Sequence, residues 1–275
     1  MKRFLLLTLL LNAPSAMAGL LVTDIAGKAQ IEGRGPVTTL AEIPDGAQLI
    51  LAAGARLVAV DLSSGREYVL KGNAKYVIAA DGPKTSNGKP VDASSLPARN
   101  LPEVKVASAK VAQAAIVMRG IRRFNVPVLH APAQTTITTT TPLFQWGGVE
   151  DSTGYRLILK GPDGTVIWDT PTATTELIVP QERSLPAGER YTWRIEAIGS
   201  DGRTISDASA SFSVAPSGVI KRLAELKPGP NAPFGRRVLY AAQLREAGAL
   251  TDAKEQWKIL AQERPNDEVL KSLAE

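Results

Sequence analysis

The pattern of apolar and polar positions first predicts a small β domain over residues 19–82. Short runs in which apolar and polar residues alternate are separated there by glycine-containing turns, as in Ala55–Val60, Arg66–Leu70 and Ala74–Ile78. Alternation with a period of two over four to eight residues indicates half-buried antiparallel strands. We therefore predict an antiparallel β fold for this part of the chain.

The pattern then changes twice before residue 130. Residues 83–102 are rich in proline, glycine, serine and asparagine and predict a linker or an extended strap. From about residue 103 to residue 123, apolar residues recur every three or four positions, as in an amphipathic helix. Arg119, Arg122 and Arg123 form the polar end of that helix. These arginines could bind an acidic partner or lipid head groups. We favour the alternative, in which the helix straps the chain together and the arginines complement its dipole.

Residues 130–215 predict a second β domain. Strand-length runs recur at regular spacing with turn residues between them, namely Tyr155–Leu159, Val166–Trp168, Glu176–Val179, Tyr191–Ile195 and Ser209–Ser213. This spacing is typical of a β-sandwich. The threonine-rich stretch 135–141 is either an edge strand, which we favour because threonine suits strands, or a glycosylated tract.

Two tryptophans of this domain allow different interpretations. Trp193 alternates with Tyr191 and Ile195 on one face of a strand, so we predict that it lies in the core. Trp168 lies beside a turn, where it either packs or offers its flat ring to a sugar.

The C-terminal residues 216–275 predict a pair of helices. An apolar stripe runs along Arg236–Glu246, and Gly248 is a helix-stop residue. We expect Thr251 to cap a second helix. A single helix pair cannot bury its own apolar face. Tyr240, Leu244 and Trp257 are therefore predicted to bind a protein partner, a second copy, or another part of this chain, and removing residues 217–275 should leave both β domains folded.

The first domain resembles the periplasmic FecR-type domain. The resemblance rests on a glycine-centred opening strand, the sequence Gly54-Ala-Arg-Leu-Val58, a Ser64-Gly-Arg66 turn and the closing Lys75-Tyr-Val-Ile78 strand. In the full regulators of that family, the domain contacts the signalling domain of an outer-membrane transporter. Their cytoplasmic helical segment and membrane span are missing from this sequence, so the resemblance implies a shared module and not a transmembrane relay.

Two further resemblances concern the second half of the chain. Leu185-Pro-Ala-Gly188 followed by Tyr191, Trp193 and Ile195 is similar to the fibronectin type III family. That family implies a Tyr191 hydroxyl that ties the corner loop to its strand, and Trp146 in the core. Gly248, Ala253, Trp257 and Pro265 resemble the latter half of a tetratricopeptide repeat, although Arg237 stands where that family prefers tryptophan. The predicted fold is thus mainly β and multidomain, with a FecR-like domain, an immunoglobulin-like sandwich and a C-terminal α-hairpin.

Residues 1–18 read as a signal peptide. Lys2 and Arg3 precede an apolar run, and Ala16-Met17-Ala18 supplies small residues for cleavage after Ala18. The run is too short to span a bilayer, and no later stretch predicts a stable span. We expect a periplasmic protein, or a secreted one. The chain contains no cysteine, which excludes disulfides, thiol catalysis and a lipid-anchored lipoprotein.

Charge and motifs favour binding over catalysis. Without Lys2 and Arg3 the chain has 30 basic and 27 acidic residues, and the excess lies in residues 103–125, so nucleic acid is not an expected partner. His130 is the single histidine, and no phosphate-loop, zinc or calcium motif is present, so we expect no enzyme and no cofactor. The prediction is an envelope scaffold or sensory adaptor that binds envelope proteins, with self-association left open. The alternative is a protein that binds cell-wall glycans through Trp168.

Overall fold

The computed structural model describes residues 19–104 and 125–275 and contains two β domains followed by four helices. The predicted signal peptide, Arg119, Arg122, Arg123 and nearly all of the predicted helix at 103–123 lie outside these residues. Within the two described ranges, no helix combines the length and the hydropathy that a membrane crossing needs.

The first domain consists of two antiparallel sheets of five strands each. One sheet has the order β10-β7-β6-β1-β4 and the other β3-β2-β5-β8-β9. The strands are β1 Gly19–Ala26, β2 Ala29–Ile31, β3 Gly35–Pro36, β4 Glu42–Pro44, β5 Gln48–Leu51, β6 Arg56–Asp61, β7 Arg66–Lys71, β8 Ala74–Ala79, β9 Gly82–Thr85 and β10 Ala93–Ser95. Leu57, Leu70 and Ile78 lie between the sheets with at most 1% exposure.

This domain extends beyond residue 82, where the sequence placed its end. Strand β9 pairs with β8, and β10 pairs with β7, so residues 83–102 complete both sheets and are not a linker. Leu96, Ala98 and Leu101 are also buried. Pro83 is tolerated in β9 because this strand is the last of its sheet, where a missing N–H on the open side breaks no ladder.

The second domain is a fibronectin type III-like sandwich. Its sheets have the orders β11-β13-β16 and β12-β18-β17-β14-β15. The strands are β11 Leu129–Ala131, β12 Thr136–Ile137, β13 Leu143–Trp146, β14 Ser152–Lys160, β15 Val166–Thr172, β16 Glu176–Ile178, β17 Arg190–Gly199 and β18 Thr204–Val214, with a one-turn 3-10 helix at Gln181–Arg183. Every strand run predicted from the sequence lies in or overlaps one of these strands.

Two features of the sandwich match what the resemblance implied. The Tyr191 hydroxyl donates to the Pro186 carbonyl over 3.0 Å and so ties the corner loop to β17. Trp146 is 3% exposed in the core. Trp193 is fully buried, as predicted, and its indole N–H donates to the Pro132 carbonyl over 2.7 Å.

The C-terminal part contains four helices, of which the sequence predicted the middle two. They are α1 Ser217–Leu226, α2 Phe234–Glu246, α3 Leu250–Glu263 and α4 Glu268–Ala274. Gly248 separates α2 from α3 with a φ of +76°, as a helix-stop residue should. The predicted Thr251 cap is wrong, because α3 already begins at Leu250. The Leu250 N–H instead donates to the Thr135 hydroxyl of the sandwich over 3.1 Å.

The helices pack on the outer face of the first domain. Leu21 of β1, Val60 of β6 and Leu101 share one apolar cluster with Val238, Leu244, Trp257 and other residues of the helices. Strands β1 and β6 carry consecutive apolar residues, so one set of side chains faces the domain core and the other faces the helices. The apolar side of the helix pair is therefore covered by its own chain.

Polar contacts surround this apolar interface. The Arg236 guanidinium lies 3.3 Å from the Glu67 carboxylate, and Arg264 lies 3.3 Å from Asp24. The Thr39 hydroxyl donates to the Asp267 carboxylate over 2.6 Å. The turn between α2 and α3 also contacts the second domain, because the Thr136 N–H donates to the Gly248 carbonyl over 2.9 Å. The helices thus touch both β domains.

Candidate partner-binding surface

The helix residues predicted to bind a partner do not form an open surface. Leu244 and Trp257 are each 1% exposed and belong to the cluster between the helices and the first domain. Tyr240 is half-buried and packs against the same cluster. The sequence showed an apolar stripe on the helices, but it gave no sign of which surface covers that stripe. Of the alternatives that the sequence left open for Leu244 and Trp257, the structure has the third, because another part of this chain covers them and they are not open to a partner.

Exposed apolar side chains are concentrated on the sandwich instead. Within the described ranges eleven large apolar side chains are exposed, and seven of them belong to the sandwich or to the segment that enters it. These seven are Val126, Val128, Leu143, Val166, Ile167, Ile178 and Ile205. Single exposed apolar residues are ordinary, so what matters is whether some of them are neighbours.

One group lies on the outer face of the three-stranded sheet. Leu143 of β13 and Ile178 of β16 are register partners, with exposures of 41% and 61%. Val128 is also exposed, but it lies beside Gly147 at the far end of β13, and the hydrogen-bonded Gln145 and Glu176 separate it from this pair. We call Leu143 and Ile178 the outer-face strip. Side chains alternate along each strand, so Phe144 fills the core while Leu143 points to solvent.

A second feature opens between the edges of the two sheets. A cavity of about 260 Å³, which we call the edge groove, is lined mainly by apolar residues. They are Leu159, Ile167, Trp168, Val179, Leu185 and Pro186, together with Arg183 and Ser184. The groove lies beside β15, the last strand of the five-stranded sheet.

Trp168, which the sequence analysis named as a possible sugar contact, forms one wall of the edge groove. It is the register partner of the buried Leu159, so its side chain faces the space between the sheets. It is half-buried and packs against the sandwich core, whereas Trp146, Trp193 and Trp257 are at most 3% exposed. Trp168 therefore both closes the core and leaves part of its ring open to a ligand.

The charged groups around the edge groove leave it basic. Arg156 donates two hydrogen bonds to Asp169 of β15, over 2.8 Å and 2.6 Å. These bonds lower the pKa of the Asp169 carboxyl and raise the pKa of the Arg156 guanidinium. Arg183 lines the edge groove and has no ion pair with any other residue of the described ranges. A ligand in the groove would therefore meet one unpaired positive charge.

A larger cleft lies where the α3–α4 turn meets the first domain. It has a volume of about 650 Å³, and its lining includes Thr38, Thr39, Asn266 and Asp267. The Thr39–Asp267 hydrogen bond crosses it, so the cleft is part of the contact between domain and helices. Across the described residues, no three His, Asp or Glu side chains are grouped in a way that could hold a metal ion, and His130 is exposed on β11.

Comparisons with known proteins give structural neighbours only. No protein-family model matches the chain, and no curated protein matches it. Among solved structures, the fibronectin(III)-like modules of CbhA from Clostridium thermocellum match with 14% identity and a TM-score of 0.25, over 33% of this chain and 96% of that one. CopC from Methylosinus trichosporium OB3b matches with 17% identity and a TM-score of 0.26, over 33% of this chain and 95% of that one.

A third neighbour spans more of the chain. The beta-1,2-glucanase from Parabacteroides distasonis matches with 11% identity and a TM-score of 0.26, over 90% of this chain and 49% of that one. At these TM-scores none of the three neighbours indicates what this chain does. The strand order and the Tyr191–Pro186 hydrogen bond of the sandwich itself identify its fibronectin type III-like fold.

Proposed function

We propose that this chain is an exported, non-enzymatic binding protein of the cell envelope, which presents its sandwich to protein partners. The observation that carries the proposal is the contrast between two apolar surfaces. The helix stripe is covered by the first domain, whereas the outer-face strip is open to solvent. An apolar group of this kind on an otherwise polar surface is typical of a protein-binding site.

In this proposal, the other two parts of the chain support the sandwich. The first domain is FecR-like, the pair α2 and α3 is a tetratricopeptide-like unit, and residues 1–18 direct the chain to the periplasm. The helices act as a brace, because they bury apolar side chains of the first domain and bond to Thr135 and Thr136 of the sandwich. A braced pair of domains suits a scaffold that holds a partner in a fixed orientation.

The proposal is tested by introducing a charge into the outer-face strip. Leu143→Glu places a carboxylate beside Ile178, its register partner, where a partner protein that excludes water would bury the charge at high cost. Crosslinking in intact cells followed by purification of the chain should show a discrete protein adduct for the native sequence and none for this variant. Val77→Glu, at a 40% exposed position of the first domain, is the matched control and should retain the adduct. Equal adducts from both variants would contradict the proposal.

A second candidate function is binding of cell-wall glycans. It is favoured by one observation, the partly open Trp168 ring beside Arg183 and Ser184 in the edge groove. Aromatic rings stack on the apolar faces of sugars, and the two polar side chains offer hydrogen bonds. Glycan binding predicts a change in tryptophan emission on addition of cell-wall glycans that is absent in Trp168→Ala. An unchanged emission across a panel of such glycans would exclude this candidate.

A further inference from the structure

A row of polar side chains crosses the outer face of the five-stranded sheet near the helices. Strand β12 pairs with β18, and β18 pairs with β17, in a register that places Thr136, Ser213 and Arg190 side by side. Side chains alternate between the two faces of a strand. Phe212 and Tyr191, the chain neighbours of Ser213 and Arg190, fill the core, so the row itself faces outward.

The turn between α2 and α3 closes one end of this row. The Thr136 N–H donates to the Gly248 carbonyl over 2.9 Å, which holds the turn against β12. Gly248 has a φ of +76°, and a Cβ there would lie only 2.9 Å from the Thr136 hydroxyl oxygen, so the turn lies as close as a glycine allows. A pocket of about 260 Å³, which we call the junction pocket, lies in this corner, and Gln134 and Ser211 add to its lining.

The junction pocket contains hydrogen-bond donors that the protein itself does not use. Within the part of the chain that the structure describes, the side chains of Arg190, Ser211 and Ser213 have no hydrogen-bond or ion-pair partner. A guanidinium carries five N–H donors and a permanent positive charge, and each serine hydroxyl adds one donor. No aspartate or glutamate lines the pocket. Glu189 lies toward the core instead, where burial and this carboxylate together raise the pKa of Tyr191.

The acidic groups farther along the same face are already paired. Arg194 lies 3.0 Å from the Asp207 carboxylate and 3.4 Å from the Glu196 carboxylate. These two acids therefore have a cation of their own beside them. The charge of Arg190 remains available to a ligand, and an anion that entered the junction pocket would meet no carboxylate in its lining.

A phosphate group matches this set of donors. A guanidinium binds a carboxylate or a phosphate through two parallel hydrogen bonds. The two oxygens of a carboxylate would be satisfied by Arg190 alone, whereas a terminal phosphate has three acceptor oxygens that point in different directions. Ser213, the register partner of Arg190, and Ser211 offer hydroxyls to the third oxygen. The volume is just below the range of about 300–1,000 Å³ for drug-sized ligands, so it suits a small phosphate ester.

We propose that the junction pocket binds the phosphate group of a small phosphorylated molecule. Arg190 binds two phosphate oxygens, and the hydroxyls of Ser211 and Ser213 bind the third. The pocket lies on the five-stranded sheet, on the opposite side of the sandwich from the outer-face strip, so the inference goes beyond the proposed function and does not depend on it. Both the sandwich and the helix turn line the pocket, so the ligand strengthens the contact between them.

The test measures binding of small probes to the full chain by calorimetry. Inorganic phosphate and glucose 6-phosphate are expected to bind, and glucose is not. Arg190→Gln should weaken binding of glucose 6-phosphate about tenfold or more, because charge-assisted hydrogen bonds are lost, and Ser213→Ala should weaken it by about threefold. Arg183→Gln is the matched control and should leave binding unchanged, because it removes an arginine of the edge groove that also has no ion pair within the described ranges.

A second readout locates the ligand at the contact between sandwich and helices. The Thr136 and Leu250 amides form hydrogen bonds that cross this contact. Their hydrogen exchange should slow when glucose 6-phosphate is added to the native chain and should not change in Arg190→Gln.

Several results would overturn the inference. They are an absence of binding for both phosphate probes, equal binding by the native chain and Arg190→Gln, and unchanged exchange of the two amides. Loss of binding in Arg183→Gln alone would place the anion in the edge groove. Glucuronate that binds as tightly as glucose 6-phosphate would show that the pocket does not select phosphate.

Discussion

At the scale of single residues, Thr135 joins the sandwich to the helices. Its hydroxyl accepts the Leu250 N–H over 3.1 Å and lies 3.3 Å from the Gly248 carbonyl. The side chain is 8% exposed, so water cannot easily replace these bonds. A threonine 115 residues upstream thus supplies the cap that the sequence assigned to Thr251. Capping by a distant residue depends on the packing of the domains, so no local sequence pattern could predict it.

We predict that Thr135→Val lowers the free energy of unfolding by about 1 kcal/mol. Valine has nearly the same shape, so the loss reports the missing bonds to Leu250 and Gly248 and not a cavity. Thr139→Val is the control, because Thr139 is exposed and its hydroxyl bonds only within its own turn, to Thr141. Urea denaturation of the full chain measures both variants. Equal stability of the two would show that Thr135 does not cap α3.

At the scale of elements, the sequence predicted best what local patterns determine. The apolar stripe and Gly248 predicted a helix that starts within two residues of the observed start of α2. Alternation with a period of two predicted the strands of the sandwich. Helix α4 was missed although a signal was present. Asp267 precedes an apolar pair, and its carboxylate accepts the Val269 and Leu270 N–H groups over 3.0 Å and 3.2 Å, as an N-cap does.

Helices α2 and α3 are also joined by an ion pair. Arg237 donates two hydrogen bonds of 2.5 Å to Glu263, and this pairing lowers the pKa of the Glu263 carboxyl. A group whose pKa is lower in the folded chain stabilises the fold above its unfolded pKa, about 4.3 for glutamate, and loses that contribution as the pH falls. The ion pair therefore contributes at neutral pH and not in acid.

We expect Glu263→Gln to lower the melting temperature slightly at pH 7, because the pair is partly exposed and solvent weakens such pairs. The difference from the native chain should shrink as the pH falls below about 4.3 and vanish once Glu263 is protonated. Thermal unfolding at several pH values measures it. Glu268→Gln, which removes an exposed pair with Lys271 inside α4, is the comparison. A Glu263→Gln difference that grew in acid would contradict the assigned pKa direction.

At the scale of the whole molecule, the first domain is apolar on two sides. Leu20 and Val22 of β1 face its core, and Leu21 faces the helices. The consecutive apolar residues Leu20-Leu21-Val22 and Val58-Ala59-Val60 are the signal that a second face is buried. The sequence did not say which element covers that face. This is why the sequence left open whether the chain itself, a second copy or a partner covers the helices.

Removing residues 217–275 should therefore expose the first domain rather than leave both domains intact. We predict faster hydrogen exchange in β1 and β6, because Leu21 and Val60 lose their cover, and little change in β17 of the sandwich. Mass spectrometry of the exchanged amides measures both regions in one experiment, with β17 as the internal control. Unchanged protection of β1 would mean that the helices are not a brace.

The central claim is that the sandwich, and not the helix pair, holds the partner. It is tested most directly by a photo-crosslinking amino acid placed in intact cells at Ile178 of the outer-face strip or at Ile259, which is 48% exposed on α3. The two sites have similar exposure but belong to the two competing surfaces. The account predicts a discrete protein adduct from position 178 and none from position 259. An adduct from position 259 alone would contradict this claim and would show that the partner binds the helices.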